Sequence, residues 1–321
     1  MPFLNQRLIT VAKIVVTLTL FCVIYWQLKD FKGGFNPIFP LSAKTWIGIM
    51  LILVLAPVNW ILESIKWKTI LSSNNKITTF EAWQAVLTGY TLGLITPAKV
   101  GDYIGRATQF KGRSVTALTA TFHSSLWQNL ANLIGGVLGV SFLLFRYHNN
   151  YLKLVLVPSV ILLLLLTIFL TYADGRKKLT IWGFRFVKNH LKFIPLQEDL
   201  LNQFPAYNPF KALFYSILRY TVYVVQYYIC AISLGINSDF VTLFSIICSA
   251  LMIQSMVPLP FVAGLLSRAQ INILIWGLIG VSIQSAVIIS LFIWMINIVL
   301  PALLGMNFVY RKKSFVNPLI N

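Results

Sequence analysis

The residues best suited to chemistry lie at 92–109, LGLITPAKVGDYIGRATQ, where charges and helix breaks occur inside an apolar part of the chain. The charges are Lys99, Asp102 and Arg106, and the breaks are Pro97, Gly101 and Gly105. Proline removes a backbone donor and interrupts a helix, and charge at membrane depth is costly. Irregular, charged backbone in a membrane is tolerated where protein covers it or where it lines a wet cavity. This segment is therefore the first candidate for a working site.

A second candidate is Arg219, which lies within the apolar segment 210–234. A helix beginning near Pro209 would carry Arg219 about 15 Å along its axis, too deep for easy snorkelling. Helical spacing places Tyr223 and Gln226 on the same face. We therefore expect Arg219 to point into the interior of a helix bundle, with Tyr223 and Gln226 lining the same cavity.

Segment 116–145 is the most polar of the long apolar segments. Small and polar residues recur there at steps of three and four, which places them on one helix face. They are Thr121, Ser125, Gln128, Asn132, Gly136 and Gly139. The pattern suits cavity lining by Ser125, Gln128 and Asn132, and equally a GxxxG-like packing face that includes Gly135.

A second broken element follows near residue 258 and resembles the first. Pro97 and Pro260 each have a glycine four residues later, Gly101 and Gly264, and both elements end in Arg-Ala. The second element contains Pro258, Pro260, Gly264 and Arg268. Paired interrupted helices in corresponding halves are typical of transporters with inverted repeats and a substrate site between the repeats. The spacing therefore favours an inverted repeat.

Composition places the elements that hold these residues in a membrane. Of the 321 residues, 58% are hydrophobic and 11% charged, and the mean hydropathy is +0.78. These values exclude an ordinary soluble domain. The net charge of +18 comes from short Lys and Arg clusters between apolar segments, a distribution that indicates membrane topology and anionic lipid rather than nucleic acid.

The apolar segments predict an all-α, polytopic bundle of about eight transmembrane helices, with two re-entrant elements at 79–109 and 258–269. The predicted crossings are 9–28, 46–62, 116–145, 152–172, 210–234, 241–257, 271–280 and 283–304. We read residues 1–321 as one domain with halves 1–173 and 210–321. Lys66 and Trp67 are expected at the membrane interface, where basic and aromatic residues concentrate.

The connection 174–209 between the halves is strongly basic, as is the cluster at 311–313. The positive-inside rule places both in the cytoplasm, with both chain termini, and places 237–239 outside. The connection is either an amphipathic helix on the membrane surface or, as we favour, a linker that sets topology. The expected location is the plasma (inner) membrane.

Enzyme chemistry has little support in the sequence. The eight acids are dispersed, and neither a HExxH motif nor a P-loop nor a Cys/His cluster occurs. Cys22, Cys230 and Cys248 lack metal-site spacing. We therefore expect no catalytic residues, cofactor or metal site. A membrane-embedded transferase and a non-transporting scaffold for a membrane enzyme remain as alternatives.

Residues 96–110, TPAKVGDYIGRATQF, resemble the TP-x-[RK]-[IV]-G-[ED]-Y signature of the lysylphosphatidylglycerol synthase transmembrane-region family, also called flippase-like proteins. The Lys66-Trp67 pair and the segment 258–268 lie where the family has a basic-Trp pair and a second Pro/Gly/Arg motif. Two differences from relatives are the lack of an acid at 261–267 and the presence of Phe261 and Val262 in place of a PGG form.

The resemblance implies a helical bundle with re-entrant segments that flips or handles a phosphate-bearing lipid, either a phospholipid or a polyprenyl phosphate. It also implies that the chain lacks the cytosolic aminoacyl-transfer domain of full-length synthases. Lys99, Asp102 and Arg106 correspond to the first motif, and Arg268 to the second. We expect Arg106 and Arg268 to clamp the substrate phosphate together, with Lys99 assisting and Asp102 holding Arg106. The alternative is that Arg106 and Lys99 merely snorkel to headgroups.

Overall fold

The computed structural model describes residues 22, 42–71, 77–96, 100–110, 114–146, 152–190, 206–256 and 261–311. All regular structure in these residues is helical. The helices are α1 (Ala43–Leu71), α2 (Thr79–Ile95), α3 (Val100–Thr108), α4 (Ser114–Arg146), α5 (Leu152–Thr171), α6 (Ala173–His190), α7 (Pro209–Ser233), α8 (Phe240–Met256), α9 (Phe261–Gly277), α10 (Ile283–Trp294) and α11 (Leu300–Arg311). A π-helical segment, Met295–Val299, joins α10 to α11. The predicted first crossing at 9–28, and Pro97, Lys99, Pro258 and Pro260, lie outside the description.

The helices confirm an all-α membrane bundle. Within the described residues, three helices are long and apolar enough to cross a membrane: Ala43–Leu71, Ser114–Arg146 and Ile283–Val309. The helices Val157–Thr171 and Ala173–Trp182 meet at 95° and give a fourth candidate if they are counted as one broken span. Phe240–Met256 is a shorter apolar helix. The total of eight crossings stays a prediction.

Helix α1 is longer than the sequence suggested. It continues past residue 62 to Leu71, and its 29 residues extend about 44 Å at 1.5 Å per residue. Lys66 and Trp67 lie in this added part of the helix, and both are fully buried in the protein. Trp67 donates from Nε1 to Thr121 Oγ1 of α4 at 3.0 Å. Helix α4 therefore covers this end of α1, and the depth of Lys66 and Trp67 in the membrane stays a prediction.

Helices α2 and α3 form a hairpin. A capping box opens α2, in which the Thr78 hydroxyl accepts from the Glu81 amide and the Glu81 carboxylate accepts from the Thr78 amide. The chain then reverses between α2 and α3, because Gly101 lies against the Leu92 carbonyl and Gly105 lies against Thr88. A Cβ on Gly105 would stand 2.7 Å from the Thr88 carbonyl oxygen. These glycines therefore permit close helix contact, and the break predicted near residue 97 is present.

The two ends of helix α4 use its small and polar face differently. Towards its C-terminal end, Gly136 contacts Met252 of α8 and Gly139 contacts Cys248 of the same helix. Gly135 packs against Tyr220 of α7. Towards its N-terminal end, the same helix directs polar side chains to the interior described below. Glycine packing thus accounts for one half of the helix, and polar contacts in the bundle interior account for the other; cavity lining stays a prediction.

The helix pairings relate the two halves of the chain. Helix α1 packs along α7, α4 packs along α8, and α11 packs along α2. Gly305 of α11 lies against the Leu87 carbonyl and Thr91 of α2, as Gly139 of α4 lies against α8. A two-fold exchange of the halves would produce these pairings, since it would convert the α4 and α8 contact into the α11 and α2 contact. The pairings agree with a two-fold repeat, and its inversion across the membrane stays a prediction.

Two helices, α9 and α6, differ from the segments that the sequence predicted. Helix α9 is continuous from Phe261 to Gly277, so the predicted crossing 271–280 is the continuation of the second broken element. Its side chains support this continuity, because Asn272 donates to the Arg268 carbonyl at 2.8 Å and accepts from Trp276 at 2.9 Å. In the basic connection, residues 173–190 form helix α6, and Arg176 donates to the last carbonyls of α5.

Candidate functional site

The centre of the candidate site is Glu63 of α1, a carboxylate that faces three cations. Its oxygens lie 2.8 Å from Lys66 Nζ, 2.9 Å from Arg106 Nη1 and 3.0 Å from Arg219 Nη1. The Ser124 hydroxyl of α4 donates to it at 3.1 Å. Glu63 is 3% exposed. Charges at this depth require close partners, because each loses its hydration on burial.

Arg106 connects the hairpin to this centre. Its Nε and Nη2 atoms donate to the two carboxylate oxygens of Asp102 at 2.8 and 3.1 Å, and Nη1 donates to Glu63. The guanidinium also lies 6.0 Å from the Trp67 ring centroid. Arg106 is 3% exposed, so it does not snorkel in this structure. Asp102 therefore holds Arg106 through two hydrogen bonds, whereas two-pronged binding of a phosphate by Arg106 stays a prediction.

Arg219 joins the same centre from α7, in the interior position that its depth predicted. Its Nε donates to Asn59 at 2.7 Å, Nη1 to Gln128 at 3.2 Å and Nη2 to the Tyr90 hydroxyl at 2.9 Å. The Tyr223 ring lies 5.5 Å from the guanidinium carbon. All three nitrogens of Arg219 are therefore used, which fixes its orientation.

We define the charged cluster as Glu63, Lys66, Asp102, Arg106 and Arg219. It contains three cations and two acids, so its formal charge is +1 when every group is ionised. At least five helices contribute to it or contact it directly. Helices α1, α3 and α7 carry the charges, α4 supplies Gln128 and Ser124, and α2 supplies Tyr90. A buried excess of positive charge favours an anion as its ligand.

A neutral network extends the charged cluster towards the π-helical segment. Asn59 donates to Asn297 at 2.8 Å, and Asn297 donates to Gln226 at 2.9 Å. Gln226 in turn donates to the Ile52 carbonyl at 3.2 Å. Asn297 lies within Met295–Val299, and π-helical turns often occur at functional positions. The network therefore ties the π segment to Arg219 through Asn59.

The structure brings several predicted cavity residues together. Gln128 accepts from both Lys66, at 3.1 Å, and Arg219. Gln128 also donates a longer hydrogen bond, of 3.4 Å, to the Asn132 side-chain oxygen. Ser125 donates to the Thr121 carbonyl of its own helix. Tyr223 and Gln226 both lie at the site, whereas Lys99 lies outside the described residues.

Arg268 is not part of the charged cluster. It is half-buried on α9, a helix that packs against α8 and α10. Within the described chain, its guanidinium forms no ion pair and no hydrogen bond with the charged cluster. The predicted clamp of Arg106 and Arg268 on one phosphate is therefore not formed in this structure. Gly264 lies on the first turn of the same helix and is half-buried.

Sequence reasoning missed the residue at the centre, Glu63, together with Lys66, Asn59, Tyr90 and Asn297. A signal was present, because Asn59, Glu63 and Lys66 follow one another at steps of four and three and share one face of α1. The predicted crossing ended at residue 62, so Glu63 and Lys66 were not assigned to the same helix as Asn59. The dispersal of acids along the chain likewise concealed that Glu63 and Asp102 converge on Arg106.

Comparison with curated proteins gave no match. The family model described as "Lysylphosphatidylglycerol synthase TM region" matches residues 10–305, which covers most of the chain. This match agrees with the motif at 96–110 and with the apolar helices. The chain therefore belongs to the lysylphosphatidylglycerol synthase TM region family of membrane proteins, which is tied to lipid handling.

Proposed function

We propose that this protein translocates a phosphate-bearing lipid, a phospholipid or a polyprenyl phosphate, and that the charged cluster binds the phosphate. The observation that carries the proposal is the convergence of Arg106, Arg219 and Lys66 on one buried carboxylate. Arginine binds phosphate in two-pronged fashion and stays charged when buried. Two arginines and one lysine thus surround the Glu63 carboxylate, and a phosphate could bind to them in place of that carboxylate and leave again.

Exchange is the central step of this mechanism. An incoming phosphate takes the place of the Glu63 carboxylate on Arg106 and Arg219, while Glu63 keeps its partner Lys66 on the same helix. The cations are thus paired before and after binding, which avoids the cost of an uncompensated buried charge. Asp102 holds Arg106 during the exchange because two of its three nitrogens are bound to that carboxylate.

The hairpin of α2 and α3 is proposed to be re-entrant and to carry Asp102 and Arg106 to membrane depth. Its short second helix, nine residues in Val100–Thr108, is about 14 Å long and cannot span a hydrocarbon core of about 30 Å. The basic connection 174–209 and the cluster 311–313 support a plasma-membrane orientation with both termini in the cytoplasm. Anionic headgroups are the expected partners of these basic segments.

A scaffold that docks a lipid-modifying or glycosyltransferase enzyme is the second candidate. A scaffold needs an exposed docking face and gains nothing from four buried charges and a partly buried Asp102 at its centre, because each buried charge costs several kcal/mol to desolvate. A transferase would use an acid as proton donor or acceptor, yet Glu63 and Asp102 are both held by cations. The charged cluster therefore favours transport of a charged substrate.

A reconstituted translocation assay tests the proposal. Liposomes with a tail-labelled fluorescent phosphatidylglycerol report transbilayer movement when a membrane-impermeant reductant bleaches the outer leaflet. We expect wild-type protein to move the label faster than protein-free liposomes, and Arg106→Gln to lose at least about tenfold of that rate. Arg146→Gln is the matched control, because Arg146 is exposed and pairs with Asp239 at 2.9 Å, away from the charged cluster. Wild-type rates equal to protein-free liposomes, with both phosphatidylglycerol and a polyprenyl phosphate, would favour the scaffold.

A further inference from the structure

Helix α6 leaves the end of α5 almost at a right angle. The helices Val157–Thr171 and Ala173–Trp182 meet at 95°. Helix α5 has 20 residues, or about 30 Å at 1.5 Å per residue, which matches the thickness of a hydrocarbon core. Large apolar side chains on α5 are exposed, among them Ile161, Leu162 and Leu165, as suits a helix that faces lipid. If α5 crosses the membrane, α6 lies close to the plane of its surface.

The residues of α6 do not suit the alternative, in which α5 and α6 form one broken span. Helix α6 carries five Lys or Arg and one acid. Lys177 and Lys178 are exposed, so a broken span would hold both ammonium groups against lipid just beyond its bend, where charge is costly. Helices that lie on a membrane surface are instead rich in Lys and Arg and carry aromatic residues. Trp182, which is 66% exposed, is of the type that concentrates at headgroup level.

The inner face of α6 is fixed to α4 and to the end of α5. The Thr180 hydroxyl oxygen lies 2.8 Å from His123 Nε2 and donates to the Arg176 carbonyl at 2.8 Å. Because a hydroxyl has one proton, the histidine is the donor in the first of these bonds. Arg176 donates from Nη1 to the carbonyls of Leu170 and Thr171 at 2.8 Å each. Arg176 and Thr180 are both buried, so the rotation of α6 about its own axis is set.

The other end of the basic connection returns to the same place. Tyr207 lies shortly before α7, and its ring centroid is 4.8 Å from the Arg176 guanidinium carbon and 5.5 Å from the His123 ring centroid. Trp127 of α4 donates from Nε1 to the Tyr207 hydroxyl at 2.9 Å. Both ends of the connection therefore pack on one part of α4. A linker that only sets topology would need neither contact.

The fixed inner face leaves a basic outer face. Lys177 and Lys178 lie outside the face that packs on α4, and Trp182 is one turn beyond Lys178. The excess of basic residues on α6 is complementary to anionic lipid headgroups, and each basic residue near such a surface contributes about fivefold to binding. The neighbouring α5 exposes apolar side chains, which places the outer face of α6 beside lipid and favours headgroups over a protein partner.

We propose that α6 is an interfacial helix whose outer face, formed by Lys177, Lys178 and Trp182, binds anionic lipid headgroups at the membrane surface. This surface is separate from the charged cluster and goes beyond the proposed function. A headgroup binds there from the side of the bilayer and needs no passage through the bundle. The inference therefore does not depend on translocation.

Quenching of a fluorescent label by spin-labelled lipids tests where α6 lies. In a cysteine-free background of the full-length protein in phosphatidylcholine liposomes, Ala173→Cys puts the label in the first turn of α6. Leu162→Cys puts a reference label about 14 Å before the end of α5. We expect phosphatidylcholine with its spin label near the headgroup to quench the label at residue 173 at least about twofold more than a spin label near the chain end, because interfacial helices are shallow. The reference label should show the reverse order.

Two results would overturn the surface location. Stronger quenching at residue 173 by the deep spin label would show that α5 and α6 form a broken span. Absence of quenching at residue 173 by either lipid, with the reference label quenched, would show that α6 lies off the membrane.

The same label reports the preference for headgroup charge. The shallow spin label is carried either on phosphatidylglycerol or on phosphatidylcholine at equal mole fraction. We expect the phosphatidylglycerol form to quench the label at residue 173 at a concentration about two- to fivefold lower, because lysines enrich the anionic lipid. Raising the salt from about 0.1 M to about 1 M should remove most of this difference. Equal quenching by the two lipids at low salt would overturn the proposal.

Paired variants assign the preference to the outer face. Lys177→Gln/Lys178→Gln should abolish it, and both lysines are exposed, so folding should be retained. Lys44→Gln/Arg146→Gln is the matched control, because it also removes two exposed cations, and Arg146 lies about 35 Å along α4 from His123. The control should keep the preference. A preference that survives Lys177→Gln/Lys178→Gln would overturn the proposal.

The outcome for this surface is distinguishable from the outcome for the proposed function. Arg106→Gln, which should lower translocation, should leave the quenching pattern at residue 173 as in wild type. If wild-type protein translocates no lipid but shows shallow quenching with a preference for phosphatidylglycerol, the surface stands and the transport proposal fails.

Discussion

Replacing Glu63 with Gln is the most informative perturbation of the charged cluster. The side chain keeps its shape but loses the charge that faces Lys66, Arg106 and Arg219 at 2.8, 2.9 and 3.0 Å. Asp102 then remains as the one acid against three cations in the cluster. The amide also offers an N–H donor where three cationic donors already converge.

The cost of this change can be estimated from the contacts. Two unit charges about 4 Å apart interact by about 4 kcal/mol at an effective dielectric constant of about 20. Measured losses on removing one partner of a buried pair are about 3–5 kcal/mol. Because Glu63 faces three cations, we expect a loss near the upper end, about 5 kcal/mol.

Thermal unfolding in detergent, followed by size-exclusion fluorescence, measures this loss. A cost of about 5 kcal/mol lowers the midpoint by roughly 10 °C or more. Asp174→Asn, an exposed acid in the first turn of α6, is the control and should shift it by about 1 °C at most. The double variant Glu63→Gln/Lys66→Met restores the net charge of the cluster and should recover about 1–3 kcal/mol. A Glu63→Gln midpoint within about 2 °C of wild type would refute the reasoning.

Three further predictions concern helix contact, arginine geometry and topology. Gly105→Ala should lower thermal stability by about 1–3 kcal/mol, because the new Cβ would stand 2.7 Å from the Thr88 carbonyl oxygen. Gly277→Ala is the control and should leave stability unchanged, because a Cβ there would have open space around it. Arg219→Lys should lose translocation, because the single nitrogen of lysine cannot reproduce the planar fork whose three separate nitrogens reach Asn59, Gln128 and Tyr90. A wild-type rate would refute this. In a cysteine-free background, Ser238→Cys should be labelled from outside intact cells and Ser314→Cys should be protected, and the reverse result would invert the topology.

The sequence predicted parts of the fold and site that depend on local patterns. The break near Pro97 follows from proline chemistry, and the interior position of Arg219 follows from its depth in an apolar helix. Gln128 lies on a face whose periodicity is visible without a structure. Each of these inferences needed only the spacing of residues within one segment.

The remainder depended on contacts between segments. Glu63 and Arg106 are separated by 43 residues and meet because α1 continues beyond residue 62. The Lys66-Trp67 pair suggested that a helix ends at the membrane interface, because basic and aromatic residues are common at interfaces. In the structure the pair lies within α1 and is covered by α4. Arg268 resembled Arg106 in its local motif, yet its helix packs against α8 and α10 instead of the charged cluster. Similar motifs in two halves do not determine which residues meet in space.

The central claim is that the charged cluster serves lipid translocation and not stability alone. The most direct measurement is the translocation rate per folded molecule of Asp102→Asn, reconstituted beside wild type in phosphatidylglycerol liposomes. Asp102 positions Arg106 through two hydrogen bonds of 2.8 and 3.1 Å. We predict a rate at least about tenfold below wild type, with insertion and folding retained. A wild-type rate per folded molecule would contradict the account, because Arg106 would then need no orienting acid for transport.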